Sequence, residues 1–368
     1  MVYKAGIIGT GGIAGQGGVL GTNDNDSSSK TSEASHSGAY SNTPNIELVA
    51  AADTDETQLR EFGESWNIPQ THLYTTHEDM LTNEKLDVIS ICTPTFLHCQ
   101  HTVDAAQSAA DPELIWCEKP IATSVSEGEE MIRICKEENT ELLINHVFRF
   151  TEPIPVLRHQ IQQEQLIGDI VSVNARFKRE LLRNGTHVID TLQYLLEAES
   201  LRVSGFLNDK DGMSENNTSR FDTYDDVGGG GYIIYKNDVL TTIDCTLPRS
   251  LTSHAIYDIY GTTGRLYVDI AAISGSSEIK YWNTDDGEYI EEPISDRFNC
   301  PTDRPEVFTR ISQHIIDILE KSDNNRSSGA AAIQSLEILS GMFISEYTSS
   351  EVSLPLNEPL KSTKINSW

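Results

Sequence analysis

The chain has 368 residues, enough for two domains, and none of its apolar runs is long enough to span a membrane. Its 56 acidic and 27 basic residues give a net charge of −29, which excludes nucleic acid and anionic membranes as partners. The acidic residues are dispersed, so we expect a halophilic protein, with an acidic mesophilic protein as the alternative. Six cysteines form no CxxC pair, so we expect neither a metal site nor a disulfide framework.

The first part of the chain alternates between apolar strands and helical segments. The sequence enters a strand at Tyr3–Ile8 without the pattern of a signal peptide, so we expect a cytoplasmic protein. A second strand, 46–52, ends at Asp53, and the polar, serine-rich residues 21–44 between the two strands predict a surface insertion. Later strands are predicted at 86–94, 114–120 and 141–148, with a helix at 126–138. This alternation predicts a doubly wound parallel sheet of the Rossmann type over residues 1–148.

The second part of the chain has a different pattern. Residues 169–182 alternate as a half-buried strand, and 187–197 have the spacing of a helix with one apolar face. Several alternating strands follow, joined by Asn-Asp, Gly-Thr-Thr-Gly and Asp-Asp-Gly turns, which indicate an antiparallel sheet. Helices are predicted at 305–321 and 329–348. We therefore predict an α+β domain over 149–368, built on a large, mainly antiparallel, open-faced sheet.

The glycine-rich turn after the first strand predicts a dinucleotide site. The run Gly9-Thr10-Gly11-Gly12-Ile13-Ala14 is a GxGxxA variant, whose glycines let a pyrophosphate approach the backbone at the start of a helix. A carboxylate at Asp53 can accept ribose hydroxyls and repels a 2′-phosphate, so we expect NAD rather than NADP. The alternative is a glycine turn and a strand-end aspartate without a ligand. The expected cofactor ligands are Gly9, Gly11, Gly12, Ile13 and Asp53.

Polar groups also follow two later strands, at the carboxyl ends where parallel sheets bind ligands. The segment TPTFLH (93–98) follows one strand, and Glu118-Lys119-Pro120 follows the next. Partial burial of Lys119 near a cationic nicotinamide would lower its pKa and make it a usable acid or base. The alternative is a surface ion pair between Glu118 and Lys119.

Seven segments, in chain order, resemble those of the glucose–fructose oxidoreductase/inositol dehydrogenase (Gfo/Idh/MocA) family. They are GIIGTGGIA, LVAAAD, CTPTFLH, CEKP, NHVFRF, GTHVID and YGTTGRLYVD, and the resemblance covers nearly the whole chain. It implies an NAD-dependent dehydrogenase or reductase that transfers a hydride between nicotinamide and a hydroxyl-bearing carbon of a sugar, inositol, sugar acid or nucleotide sugar. It also implies a homodimer or homotetramer that pairs through the open sheet.

The resemblance implies roles for individual residues. Lys119 matches the lysine that shuttles the hydroxyl proton, and His187 matches the histidine that assists it, so both are expected to be catalytic. The resemblance places near the cofactor Thr93, Pro94, His98 and Glu118, with capping of its own helix as the alternative for His98. The expected substrate ligands are Arg149, Arg183, Asn184 and Asp190, with packing at the domain junction as the alternative for Arg149.

Arg183 departs from the family motif D-x-G-x-H-x-x-D, in which the first position is an aspartate. Gly185, His187 and Asp190 match the motif. The reversed charge leaves three interpretations open. Arg183 binds an anionic sugar phosphate, uronate or nucleotide sugar, or it points to solvent while Lys119 and His187 suffice, or catalysis is lost. The departure at Arg183 makes a non-catalytic NAD- or sugar-binding protein one alternative function. The resemblance itself leaves a second one, an NAD-dependent glycoside hydrolase on the same scaffold.

Overall fold

Residues 3–144 form a six-stranded parallel sheet with helices between its strands. The computed structural model describes residues 2–16, 33–178, 180–208, 223–248, 250–271, 277–293 and 304–366. The strands are β1 (Tyr3–Ile8), β2 (Ile46–Ala52), β3 (Leu73–Tyr74), β4 (Val88–Ile91), β5 (Leu114–Cys117) and β6 (Glu141–Ile144). The helices are α1 (His36–Asn42), α2 (Glu56–Trp66), α3 (His77–Asn83), α4 (His98–Ala106) and α5 (Val125–Glu137). β4 and β5 are buried along their whole length, as expected for parallel strands with both faces covered.

The strand order of this sheet is β3-β2-β1-β4-β5-β6. The direction of winding reverses between β1 and β4, which opens a crevice at the carboxyl ends of these two strands. The glycine turn, Asp53 and the loops after β4 and β5 all lie at this edge. The predicted doubly wound parallel sheet is therefore confirmed.

The predicted surface insertion at 21–44 is wrong in its second half. Ser35 caps the N-terminus of α1, and its hydroxyl accepts a hydrogen bond from the backbone N–H of Gly38 at 3.0 Å. His36 and Tyr40 are buried, and the His36 ring stacks on Trp116 with 3.6 Å between ring centroids. The polar composition suggested a surface position, but the side chains of His36 and Tyr40 have hydrogen-bond partners inside the protein. Residues 21–32 of the predicted insertion lie outside the described part of the chain.

The second part of the chain is built on a nine-stranded sheet. Its strands are β7 (Ile170–Lys178), β8 (Ser200–Asn208), β10 (Gly228–Tyr235), β11 (Leu240–Leu247), β12 (Ser253–Gly261), β13 (Gly264–Ala271), β14 (Glu278–Asp285), β15 (Glu288–Glu292) and β16 (Val352–Ser353). The order is β15-β14-β13-β12-β7-β11-β10-β8-β16, and every pair is antiparallel except β7–β11. Two short strands, β9 (Thr223–Asp225) and β17 (Lys364–Asn366), pair in parallel apart from this sheet. The predicted mainly antiparallel sheet is confirmed.

Helices of the second part of the chain pack on one face of the nine-stranded sheet and against the first part of the chain. They are α6 (Ile154–Gln162), α7 (Gly185–Leu196), α8 (Arg304–Leu319), α9 (Gly329–Thr348) and α10 (Glu358–Lys361). Along β13, residues alternate between buried and partly exposed, so one face of the sheet belongs to the core. The boundary predicted at residue 148 falls between the end of β6 and the start of β7. Within the described residues, no helix has the length and apolar character needed to cross a membrane.

Candidate active site

Two glycines with different surroundings shape the turn after β1. Gly9 has a φ of +87°, and a Cβ added there would lie 2.8 Å from Thr93 Cγ2. Around Gly11, no described atom lies within 4 Å of an added Cβ, so its backbone is open to a ligand. Gly12–Gln16 form a π-helical turn, in which Gly12 is exposed and Ile13 is partly buried, and the residues that would continue the predicted helix lie outside the described part of the chain. The open backbone fits the pyrophosphate of a dinucleotide.

Asp53, directly after β2, stabilises this turn through hydrogen bonds. Its Oδ2 accepts hydrogen bonds from the Thr10 backbone N–H at 2.7 Å and the Thr10 hydroxyl at 2.9 Å. Gln58 Nε2 donates to the same oxygen at 3.0 Å, and the Asp55 backbone N–H donates to Oδ1 at 2.9 Å. A ribose 2′-phosphate here would face the negative charges of Asp53 and Asp55, which favours a cofactor without that phosphate.

The loop after β4 lies against the glycine turn. Thr93 is partly buried, with its Oγ1 3.1 Å from His101 Nδ1, and Pro94 is exposed. His98 is 1% exposed, and its Nδ1 and Nε2 lie 2.8 and 2.9 Å from the carbonyl oxygens of Pro120 and Thr93. His98 therefore links the loops after β4 and β5, and its place in the lining of the cofactor pocket stays a prediction.

The carboxylate of Glu118 is held inside the protein. It is 8% exposed, Asn145 Nδ2 donates to its Oε1, and its Oε2 accepts from the Lys119 backbone N–H at 3.3 Å. His36 Nε2 lies 3.1 Å from Oε1, and His36 Nδ1 lies 2.9 Å from the Ser90 hydroxyl. Because burial lowers the pKa of His36, a neutral ring donates to Glu118 and accepts from Ser90. These internal partners fix the carboxylate of Glu118 beside Lys119, and its expected place near the cofactor stays a prediction.

Lys119 reaches from the loop after β5 to the start of α7. Its Nζ donates a hydrogen bond to the carbonyl oxygen of Arg183 at 3.0 Å. Burial lowers the pKa of Lys119 to about 8; nearby Glu118, Asp226 and Glu180 oppose this shift, and the positive charge of Arg183 reinforces it. A lysine with this pKa can both take up and release a proton near neutral pH.

The turn before α7 presents Arg183 to solvent. Its side chain is 40% exposed, and its Nη1 lies 3.7 Å from Glu180 Oε2. The backbone N–H groups of Leu182 and Arg183 donate to the carboxylate of Asp226 at 2.7 and 2.8 Å. Asn184 precedes the first residue of α7 and is partly buried. Arg183 is therefore accessible to a ligand at the point where Lys119 meets the second part of the chain.

His187 lies in the first turn of α7 among other rings. It is 2% exposed, and its ring centroid is 5.2 Å from Phe148, 5.7 Å from His254 and 6.2 Å from His146. Its backbone N–H donates to the carbonyl of Asn184 at 3.2 Å. The structure places His187 on the helix whose start receives Lys119. Its role in proton transfer stays a prediction.

Arg149 and Asp190 form a buried ion pair. Arg149 Nε and Nη2 donate to Asp190 Oδ2 and Oδ1, each at 2.8 Å, and His146 Nδ1 lies 2.9 Å from Oδ1. Arg149 Nη1 donates to the carbonyl of Arg326 at 2.8 Å. Burial alone would raise the pKa of Asp190, but Arg149 and His146 lower it to about 2. Because both charges face inward, we favour the packing alternative for Arg149 and expect Asp190 to make no direct contact with a substrate.

Sequence reasoning missed four residues of this region: His36, Asn145, Asp226 and His254. Asn145 directly follows β6, so the strand-end pattern that identified Lys119 also applies to it. His36 lies in a segment whose composition suggested a surface loop. Asp226 and His254 reach the site only through the pairing of distant strands. Within the described residues, no group of three or more His, Cys, Asp or Glu side chains could hold a metal ion.

The fold and the glycine turn define a Rossmann-type nucleotide-binding domain followed by a second, mainly antiparallel domain. Residues 3–146 match the model of the family described as "Oxidoreductase family, NAD-binding Rossmann fold" (GFO_IDH_MocA). Residues 3–146 thus form an NAD-binding domain of the Gfo/Idh/MocA oxidoreductase type. For this domain, the match confirms the family resemblance and the NAD cofactor expected from the sequence.

Curated relatives and solved structures show the extent of the similarity. D-glucoside 3-dehydrogenase of Escherichia coli is 26% identical over 183 residues, which cover 46% of this chain and 50% of that protein. Glucose-6-phosphate 3-dehydrogenase of Bacillus subtilis is 23% identical over an alignment of 396 residues, with 90% and 99% coverage. The crystal structure of the WlbA dehydrogenase from Bordetella pertussis, in complex with NADH and UDP-GlcNAcA, shares the fold at 19% identity, with a TM-score of 0.74 and coverage of 97% and 100%. The chain spans only 24%, 50% and 56% of the lengths of three curated relatives, of which D-glucoside 3-dehydrogenase is one.

Proposed function

We propose that this chain is a cytoplasmic NAD-dependent dehydrogenase or reductase that acts on a hydroxyl-bearing carbon of a sugar derivative. The observation that carries the proposal is the 3.0 Å contact between Lys119 Nζ and the carbonyl of Arg183. This contact brings the acid–base candidate of the NAD-binding domain to the second domain, at a helix start that has an accessible arginine. NAD, when bound, accepts or supplies the hydride of such a reaction.

The chain's own residues would hold the cofactor and move the hydroxyl proton. The open backbone at Gly11 would receive the pyrophosphate, and Asp53 the adenine ribose. Lys119 Nζ takes the proton from the substrate hydroxyl during oxidation and returns it during reduction. Because oxidation needs the neutral amine, its rate should rise with pH through about 8, whereas reduction should lose rate over the same range. General acid–base catalysis of this kind contributes about 10²–10⁴-fold.

We propose further that the substrate carries an anionic group that binds Arg183. The side chain of Arg183 is 40% exposed, and its ion pair with Glu180, at 3.7 Å, is loose enough for a phosphate or carboxylate to replace it. Relatives named for a glucose phosphate, or crystallised with a nucleotide sugar acid, support this class. The relative named for a D-glucoside makes neutral sugars the necessary comparison.

The direct test measures NADH formation at high salt over neutral sugars, inositols, sugar phosphates, uronates and nucleotide sugars. We expect turnover with an anionic sugar, and Lys119→Met should lower kcat by about 10²–10⁴-fold while the Kd for NAD is retained. Lys85→Met is the matched control, because Lys85 also donates to a backbone carbonyl, that of Ala109, but lies far from the crevice. Hydrolysis of an aryl glycoside without net NADH would contradict the dehydrogenase and support the hydrolase.

Arg183→Met tests the substrate class. It should raise KM for the anionic substrate by about tenfold or more, since a charge-assisted hydrogen bond is lost, and leave KM for a neutral analogue nearly unchanged. Equal effects on both substrates would contradict a direct contact between Arg183 and the anion.

We also propose that the protein forms a homodimer or homotetramer through the open face of the nine-stranded sheet. On this face, Arg265 pairs with Asp258 at 2.7 Å and lies over the rings of Tyr260 and Trp282, at 5.2 and 4.7 Å from their centroids. Such a rigid, partly apolar surface suits a second copy of the chain. Light scattering should give a multiple of the monomer mass, and a monomer at micromolar concentration would contradict the proposal.

A further inference from the structure

Asp226 connects the two halves of the candidate active site. Its Oδ1 accepts a hydrogen bond from the Leu182 backbone N–H at 2.7 Å, and its Oδ2 accepts one from the Arg183 backbone N–H at 2.8 Å. The carbonyl of the same Arg183 accepts the hydrogen bond from Lys119 Nζ. The backbone of Arg183 therefore connects the two residues: its N–H donates to Asp226, and its carbonyl accepts from Lys119.

The C-terminal strand β17 fixes Asp226 in turn. The backbone N–H of Asp226 donates to the carbonyl of Asn366 at 3.0 Å, which continues the parallel pairing of β9 with β17. The neighbouring Ile365, fully buried, donates its backbone N–H to the carbonyl of Thr123 at 2.9 Å. Thr123 belongs to the loop that carries Lys119. The strand β17 therefore links the segment that holds Asp226 with the loop that holds the lysine.

We propose that Asp226 is a positioning residue for Lys119, because its carboxylate fixes the Leu182–Arg183 turn whose carbonyl holds the amine in place. The proposal rests on the proposed function, in which Lys119 moves the hydroxyl proton. Asp226, which is distant from Lys119 in the sequence, and the strand β17 that supports it would thus both contribute to the proton transfer.

The charges around Lys119 and Asp226 decide in which direction the pKa of Lys119 should change when the charge of Asp226 is removed. The charged and titratable groups that face Lys119 are Glu118, Arg183, Asp226 and Glu180; those that face Asp226 are Lys119, Glu180 and, from β11, Cys245. Burial raises the pKa of Asp226 to about 6, although the two N–H groups and Lys119 oppose the shift, so above that pH it is a carboxylate. A carboxylate here opposes the effect of burial on Lys119. Removing its charge should therefore lower the pKa of Lys119 further below 8.

The test follows the reactivity of Lys119 in the Asp226→Asn variant of the full chain. Labelling with an amine-acylating reagent between pH 6 and 10, read by mass spectrometry, gives the titration midpoint of Lys119 without any substrate. We expect this midpoint to fall by roughly 1 pH unit. The matched control is Asp87→Asn, because Asp87 also accepts a backbone N–H, that of Lys4 at 2.7 Å, at the opposite edge of the sheet. This variant should leave the midpoint of Lys119 in place.

Activity supplies the second measurement. With a turned-over substrate, Asp226→Asn should lower kcat by about tenfold or more at unchanged Kd for NAD, and the rise of the oxidation rate with pH should move to lower pH. Asp226→Glu keeps the charge but displaces it, so it should keep the Lys119 midpoint and still lose kcat. This variant also serves if Asp226→Asn does not fold.

The outcomes separate this proposal from the proposed function. A Lys119 midpoint that is unchanged in folded Asp226→Asn, or full kcat in Asp226→Glu, overturns the positioning role. Absence of NADH with every sugar class overturns the proposed function, yet the labelling experiment still reports whether Asp226 acts on Lys119.

Discussion

Replacing Asp190 by asparagine should destabilise the protein without removing a substrate contact. Asp190 is 0% exposed and shares its charge with Arg149 and His146 at 2.8–2.9 Å. The substitution keeps the shape of the side chain but removes its negative charge, so the Arg149 guanidinium stays buried without a charged partner. The expected result is a lower free energy of unfolding with KM nearly unchanged.

Two magnitudes follow from the structure. The pKa of Asp190, about 2 against an ordinary 3.8, corresponds to about 2 kcal/mol of stability. Because the folded-state pKa is depressed, this stability is present above pH 3.8 and is lost as the pH falls towards 2. Removing one partner of a buried pair costs about 3–5 kcal/mol, since the other charge is left uncompensated. We expect Asp190→Asn near the lower end of that range, because the amide oxygen still accepts a hydrogen bond.

The assay is urea unfolding of Asp190→Asn, of Arg149→Met and of the double variant, which together give the coupling energy. The matched control is Glu137→Gln. Glu137 pairs with Arg133 through hydrogen bonds of 2.8 and 2.9 Å, almost the same distances, but both side chains are 55% exposed. This control should change the free energy of unfolding by at most about 1 kcal/mol. Equal losses at both sites, or wild-type stability of Asp190→Asn with loss of substrate binding, would refute the reasoning.

Two further predictions concern the cofactor turn. Gly9→Ala should cost about 1–3 kcal/mol of stability, because its φ is +87° and its new Cβ would meet Thr93. Gly11→Ala should leave the melting temperature unchanged while raising the Kd for NAD in calorimetry. Equal losses of stability in the two variants would contradict the open space at Gly11. Asp53→Asn should raise the ratio of NADP to NAD affinity by about tenfold, since a charge that repels the 2′-phosphate is removed; a ratio unchanged in calorimetry would show that Asp53 does not select the cofactor.

The sequence by itself determined the order of elements, the type of both sheets and the lysine of the site. The strands Tyr3–Ile8 and Ile46–Ala52 begin and end where predicted, because apolar runs bounded by glycine or aspartate are local signals. Lys119 could be identified for a similar reason. In a parallel sheet, a polar group directly after a buried strand lies at the ligand-binding edge whatever the rest of the chain does.

Only the tertiary structure decided which partner each buried polar group has. Asp190 matches a sequence motif for substrate binding, but Arg149, 41 residues away, takes both of its oxygens. His36 was assigned to the surface from its composition, and Asp226 could not be connected with Lys119, because neither contact follows from local spacing. The physical reason is that a buried charge or imidazole must find a partner across packed elements. Which groups meet depends on how two sheets, several helices and a C-terminal strand come together, and no periodicity within a segment contains that information.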